Sequence, residues 1–144
     1  MSATKILLLG DYSGFHTELK KGLILNGCDV TIASFGDGYK NLDADININA
    51  SINLGKSKFL KSIFLRLRIL YLVIFYFRKY DVVQLVNAHY LDLRFFPSRF
   101  VIYILSRFNN ALFLSACGTD AYYWSYRNRL EYYRPHEDVL SYDN

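Results

Sequence analysis

The sequence predicts an α/β fold, a Rossmann-like parallel sheet with helices on both faces. Three observations carry this expectation. Ile6-Leu7-Leu8-Leu9 is an unbroken apolar run of strand length, as in strands covered on both faces. A glycine-containing turn, a short helical pattern and a second apolar strand follow within about thirty residues, the size of a βαβ unit. Strand and helix patterns then keep alternating as far as Tyr133, which implies a parallel sheet.

In chain order, Lys5–Leu9 is the first strand, and Gly10-Asp11-Tyr12-Ser13-Gly14 breaks it. Phe15, Leu19 and Leu23 recur at helical spacing, with Lys20 and Lys21 left to solvent. Gly27 reads as the C′ glycine that stops this helix. Val30–Ala33 is the second strand. In the Asn- and Asp-rich stretch 39–55, Ile46, Ile48 and Ile52 alternate with polar residues, which fits a short edge strand.

Lys56–Tyr80 has neither Gly nor Pro and reads as one long helix, apolar nearly all round. Asp81–Val86 is the next strand and ends at Asn87-Ala88-His89-Tyr90. Pro97–Phe108 is a helix with proline in its first turn, Phe100, Ile104 and Phe108 on one face, and Asn109-Asn110 ending it. Ala111–Ala116 is a strand closed by Cys117-Gly118-Thr119-Asp120. Ala121–Tyr133 reads as an aromatic helix, and 134–144 as a loose polar tail. The first strand is expected inside the sheet, with the second strand on one side and those from Val82 onward on the other. In such a sheet ligands bind at the carboxyl ends of strands, where the order reverses. Three loops are expected to meet there: Gly10–Phe15, Asn87–Tyr90 and Cys117–Asp120.

Composition narrows the classes. The length fits one domain, and 52% apolar residues are enough for a sizeable core. A net charge of +4 is too small to imply nucleic acid. Cys28 and Cys117 have neither CxxC spacing nor a disulfide framework, and the amino terminus runs into a strand without a signal-peptide pattern. Both features suit a reduced, cytoplasmic protein. The apolar run Ile69–Phe77 is nine residues, against about twenty for a membrane span. Yet between Asp45 and Asp81 there are seven cations and no acid. Lys56, Lys58 and Lys61 at the start of the long helix are therefore candidate contacts with an anionic membrane surface. The other reading of this helix is a core-facing element with a solvated basic end.

Each candidate site residue has a plain structural reading beside a functional one. Gly10, Ser13, Gly14 and Phe15 form either a tight βα turn or a ligand loop, in which the N–H groups of the helix start could hold an anion or a sugar hydroxyl. The loop is neither GxGxxG nor a Walker loop. Asn87, His89 and Tyr90 form a polar cluster at a strand end. His16, in the first helical turn, suits a surface position. Gly118, Thr119 and Asp120 could be ligand contacts or an N-cap. No catalytic triad, metal-ligand cluster or HExxH is present in the sequence, so no metal and no cofactor is expected in this domain.

Taken together, KILLLGDYSGFHTELKKGLILNGCDVTIAS, DVVQLVNAHYLDLRF and LFLSACGTDAYYW resemble the amino-terminal half of a GT-B, GT4-like glycosyltransferase over residues 4 to 125. That family has a glycine-rich first loop, a middle strand ending in a motif like HxHyw, and a later strand ending in G-[ST]-D. Gly10 and Gly14 match the first motif, His89 and Tyr90 the second, and Gly118, Thr119 and Asp120 the third. Asn87 stands where many members have the first histidine. The resemblance implies an acceptor-binding domain for a glycan or glycolipid in cell-surface glycan biosynthesis, with His89 near the reacting sugar. It also implies that the nucleotide-sugar donor is held by a second, carboxyl-terminal domain with an E-x7-E motif, which these residues lack, so that this half alone is inactive. It places the protein in the cytoplasm, peripherally at the inner face of the membrane. A non-enzymatic α/β binding module and a peripheral membrane adaptor are the competing classes.

Overall fold

The computed structural model describes residues 2–36, 44–49, 58–87, 90–91 and 98–115. It contains a five-stranded, all-parallel sheet in the order β3-β2-β1-β4-β5, as the sequence predicts. The strands are β1 (Lys5–Leu9), β2 (Asp29–Ser34), β3 (Ile46–Asn47), β4 (Val82–Leu85) and β5 (Ala111–Leu114). The helices are α1 (Phe15–Leu25), α2 (Lys58–Tyr71) and α3 (Ser98–Phe108). β1 is central: Leu9 pairs with Ala33 on one side and with Leu85 on the other. The expected helix 121–133 and tail 134–144 lie outside the described residues, as does Ile52.

Strand alternation divides the core. Leu7, Leu9, Val83 and Leu85 point to the face that α2 and α3 cover, with Ile69, Val73, Phe77, Val101 and Leu105. Ile6, Leu8, Val30 and Ile32 point to the face of α1, against Leu19 and Leu23. This is the period of two expected of a pleated strand. Leu7, Leu8 and Leu9 are all fully buried, and each such side chain contributes about 1.5–3 kcal/mol relative to an exposed one.

α1 ends as its sequence predicts. Gly27 takes φ +79°, its N–H donates to the carbonyl of Ile24, and that of Cys28 to the carbonyl of Leu23. These are the paired bonds of a Schellman motif. The other end of α1 differs from expectation: Phe15 is exposed and His16 is the fully buried residue. The inward stripe of α1 is therefore His16, Leu19 and Leu23. In α3 the expected stripe is also displaced. Val101 and Leu105 are buried and Ile104 packs against the same core from a half-buried position, whereas Phe100 and Phe108 remain exposed.

The long helix does not run from Lys56 to Tyr80. Lys56 lies outside the described residues, the α-helix ends at Tyr71, and Leu72–Tyr76 forms a π-helical turn. Within it the N–H of Phe77 donates to the carbonyl of Leu72 at 2.8 Å. Phe77 lies eight residues after Ile69, and in an ideal α-helix it would stand about 80° past it around the axis. The wider turn absorbs that excess and returns Phe77 to the core, where both are buried. Lys79 then takes φ +65°, which no α-helix tolerates. Asn109 fixes this exit. Its Nδ2 donates to the carbonyls of Phe77 and Leu105, and its Oδ1 accepts from the N–H of Tyr80 at 2.9 Å. One side chain thus closes the carboxyl ends of two helices.

Among the described residues no helix is long and apolar enough to cross a membrane.

Candidate functional site at the carboxyl ends of β1, β2 and β4

The loop after β1 is held by its own backbone and by one carboxylate. Gly10 leaves the strand at φ +87°, with its N–H on the carbonyl of Ala33. Ser13 and Gly14 are also left-handed, at φ 57° and 87°, and Gly14 stands at the N-cap of α1 without a side chain to cap it. Asp11 supplies the cap from three residues upstream. Its Oδ1 accepts from the N–H of His16 at 3.0 Å, and its Oδ2 from the N–H and hydroxyl of Thr17. The N–H groups of Phe15 and Glu18 donate to the carbonyls of Tyr12 and Gly14. The amides of Phe15, His16, Thr17 and Glu18 are therefore satisfied within the chain. The sequence reading that leaves them free for an anion or sugar hydroxyl is corrected on this point: Asp11 occupies the place of the anion. Asp11 was not a sequence candidate, because a carboxylate three positions before the N-cap follows no capping pattern.

His16 is the second correction. It is not at the surface but fully buried, with Nδ1 hydrogen-bonded to the carbonyl of Gly10. A carbonyl can only accept, so Nδ1 carries the proton and Nε2 is an acceptor in the neutral ring. Nε2 is buried without a partner. Burial pushes the His16 pKa below its ordinary value, and the Gly10 carbonyl and the Asp11 charge oppose that shift without reversing it.

Tyr90 joins three strand ends. Its hydroxyl accepts from the N–H of Phe35 at 2.9 Å and donates to Ser34 Oγ at 3.2 Å, at the carboxyl end of β2. Its ring meets that of Phe35 at 5.2 Å and stands edge-on to Tyr12 at 6.1 Å. The Nδ2 of Asn87 reaches the hydroxyl of Tyr12 at 3.4 Å. Burial pushes the Tyr90 phenol up, and its bonds to Ser34 and Phe35 only partly offset this. The ring lies so close to Gly10 that a β-carbon there would stand 2.8 Å from ring atom Cε2 and would collide with Val86 as well.

Of the residues the sequence singles out, the structure thus brings together Gly10, His16, Asn87 and Tyr90, with Ser13, Gly14 and Phe15 on the same loop. His89, Gly118, Thr119 and Asp120 lie outside the described residues. Tyr12, inside the Gly10–Phe15 loop, and Ser34, at the end of β2, join the cluster although no motif marks either residue. The groups available are hydroxyls, an amide and aromatic edges. Both oxygens of Asp11 are engaged, and burial disfavours the charged form of His16. Among the described residues no three His, Cys, Asp or Glu side chains converge as metal ligands.

Lys61, the described member of the three lysines, is exposed. Lys56 and the side chain of Lys58 lie outside the described residues. The chain matches no family model, no curated protein and no solved structure.

Proposed function

We propose that these residues form the acceptor-side half of a nucleotide-sugar-dependent glycosyltransferase of GT-B architecture, acting on a glycan or glycolipid acceptor in cell-surface glycan synthesis. The observation that carries this reading is the meeting of Gly10 and Tyr90, from two of the three motifs of the resemblance, at the carboxyl ends of the adjacent strands β1 and β4. In an open parallel sheet this is where the strand order reverses and ligands bind. The closed amino terminus of α1 favours the acceptor side. With Asp11 on the amides of His16 and Thr17, the loop repels a phosphate, whereas Tyr12, Asn87 and Tyr90 suit sugar hydroxyls. The diphosphate of the donor would then be held by a second domain, and His89 would stand near the reacting sugar.

The test is ligand binding by the purified chain, followed by saturation-transfer NMR. Lipid-linked oligosaccharide headgroups are expected to bind, and Asn87→Ala to weaken them about tenfold, the cost of one positioned polar contact. Binding of a nucleotide in place of the oligosaccharides would reject the acceptor assignment. In a longer enzyme carrying a donor domain, His89→Ala is expected to lower kcat/KM about a hundredfold or more, with little change in Tm. The 144 residues alone are expected not to turn over a nucleotide sugar.

A further inference from the structure

α2 buries one side and leaves the other bare. Ile69, Leu72, Val73 and Phe77 face the sheet. On the opposite side Leu67, Tyr71 and Phe75 follow one another at spacings of four residues and are 60%, 50% and 63% exposed. The π-helical turn preserves this outward stripe while it returns Phe77 to the core. Tyr71 packs against Phe75 and Tyr76, with ring centroids 5.2 and 5.5 Å away, so the exposed rings form one cluster. Such a contiguous apolar patch costs solubility unless something covers it.

The surroundings of the patch indicate what covers it. α3 packs beside the π-helical turn, in the same core cluster on the same face of the sheet. Its exposed side carries Arg99, Tyr103 and Arg107, again at spacings of four. Neither 46–80 nor 98–115 contains an acidic residue, whereas the two stretches together carry nine Lys and Arg. A second copy of the chain would present the same positive charge to the same positive charge and be repelled. A surface that is negative and also takes up apolar side chains satisfies both halves of the pattern. Phe and Leu enter the acyl boundary, Tyr hydroxyls stay at the headgroups, and Arg side chains meet lipid phosphates.

We infer that the outer face of α2, its π-helical turn and α3 is a docking surface for an anionic lipid bilayer, with Leu67, Tyr71 and Phe75 inserted and Arg99 and Arg107 at the headgroups. This surface is distinct from the loops of the acceptor site and does not depend on the transferase reading. It shares the stretch 56–80 that the sequence marks as basic and aromatic, and moves the contact from the lysine-rich start to the outward stripe Leu67, Tyr71 and Phe75 and to α3. The protein lies on the membrane through helix sides, with its sheet behind them.

Co-sedimentation of the full chain with extruded vesicles tests this. The protein is expected to pellet with vesicles of phosphatidylcholine mixed with phosphatidylglycerol, to pellet much less with phosphatidylcholine alone, and to be released by salt. Arg99→Gln and Arg107→Gln are each expected to weaken partitioning about fivefold. The pair Leu67→Ser and Phe75→Ser is expected to weaken it tenfold or more, roughly as several buried CH₂ groups require. The chain's one native tryptophan is Trp124, so Phe75→Trp is made in a Trp124→Phe background; its emission then reports insertion as a blue shift on anionic but not neutral vesicles, and decides the matter if the serine pair does not fold. Equal pelleting with both kinds of vesicle overturns the inference, as does no pelleting at all. So does a Phe75→Trp emission that shifts on self-association or on adding an oligonucleotide but not on anionic vesicles.

Discussion

Gly10 and Tyr90 are in direct contact: a β-carbon on Gly10 would stand 2.8 Å from Cε2 of the Tyr90 ring. The glycine is needed twice, for its φ of +87° and for this approach. Gly14 has the same φ but nothing within 4 Å. Gly10→Ala is therefore expected to cost about 1–3 kcal/mol more than Gly14→Ala, the difference being the clash alone. Equal melting temperatures for the two variants would mean that the Val86 and Tyr90 side chains both move aside freely and that this approach does not organise the site.

Asp11 holds the first turn of α1 from outside the helix. Asp11→Ala is expected to destabilise the domain by about 1–2 kcal/mol, as loss of a cap does. Hydrogen exchange gives the more specific readout: the amides of His16 and Thr17 should exchange faster, and those of Phe15 and Glu18, which bond to carbonyls, much less so. Uniform acceleration along α1 would point to general unfolding and not to a lost cap.

His16 makes stability depend on pH with a definite sign. Its pKa in the folded protein lies below the ordinary 6.5, so below that pH the unfolded chain binds a proton that the folded one refuses. Stability is then fully present above pH 6.5 and falls as the pH drops below it, toward the folded-state pKa. Denaturant unfolding at about pH 7.5 and about pH 5 should show the loss, before most carboxylates titrate. His16→Gln, whose amide can still donate to the Gly10 carbonyl, should flatten the slope. A slope unchanged by that substitution would assign it to other groups.

Asn109 satisfies three backbone groups at once. Asn109→Ala is expected to cost about 2–3 kcal/mol, since buried carbonyls and an amide lose their partners together. Asn110, whose described side-chain bond is an exposed one to Asp81 at 3.0 Å, serves as the control: its replacement by alanine should stay within about 0.5 kcal/mol. Similar losses at both positions would show that the turn, not the clamp, sets the stability.

What could be read from the residues was local. The apolar run of β1, the Gly27 stop and the order of the strands follow from periodicity and from glycine's freedom at positive φ, and the structure has them. What escaped depends on partners distant in sequence. The exit from the π-helical turn that follows α2 is held by Asn109, 32 residues beyond Phe77, so no pattern within the helix announces it. The phase of α1 is set by Asp11 and the left-handed Gly14, which turn His16 inward in place of Phe15. In α3 two adjacent stripes have the same spacing, and only the space over the sheet selects Val101 and Leu105. Of the candidate site, the meeting of the Gly10 and Tyr90 loops was legible from strand order alone. The roles of Tyr12 and Ser34 were not, because each acts through a ring or hydroxyl supplied by another loop.

The central place of β1 also governs how the chain is made. The N–H of Lys5 is bound by the carboxylate of Asp81, 76 residues later, at 2.8 Å. β1 leaves the ribosome well before β4, and until β4 emerges one of its two edges has no strand to pair with. At about 5–20 residues per second, that wait is roughly 4–15 s. For that interval Ile6–Leu9 is a sticky half-finished edge. α1 and β2, joined to β1 by short connections, can shield one face of it and pair its other edge. The nascent protein is thus most exposed to misassociation while α2 is being synthesised, and slowing translation there should lower the yield of folded protein.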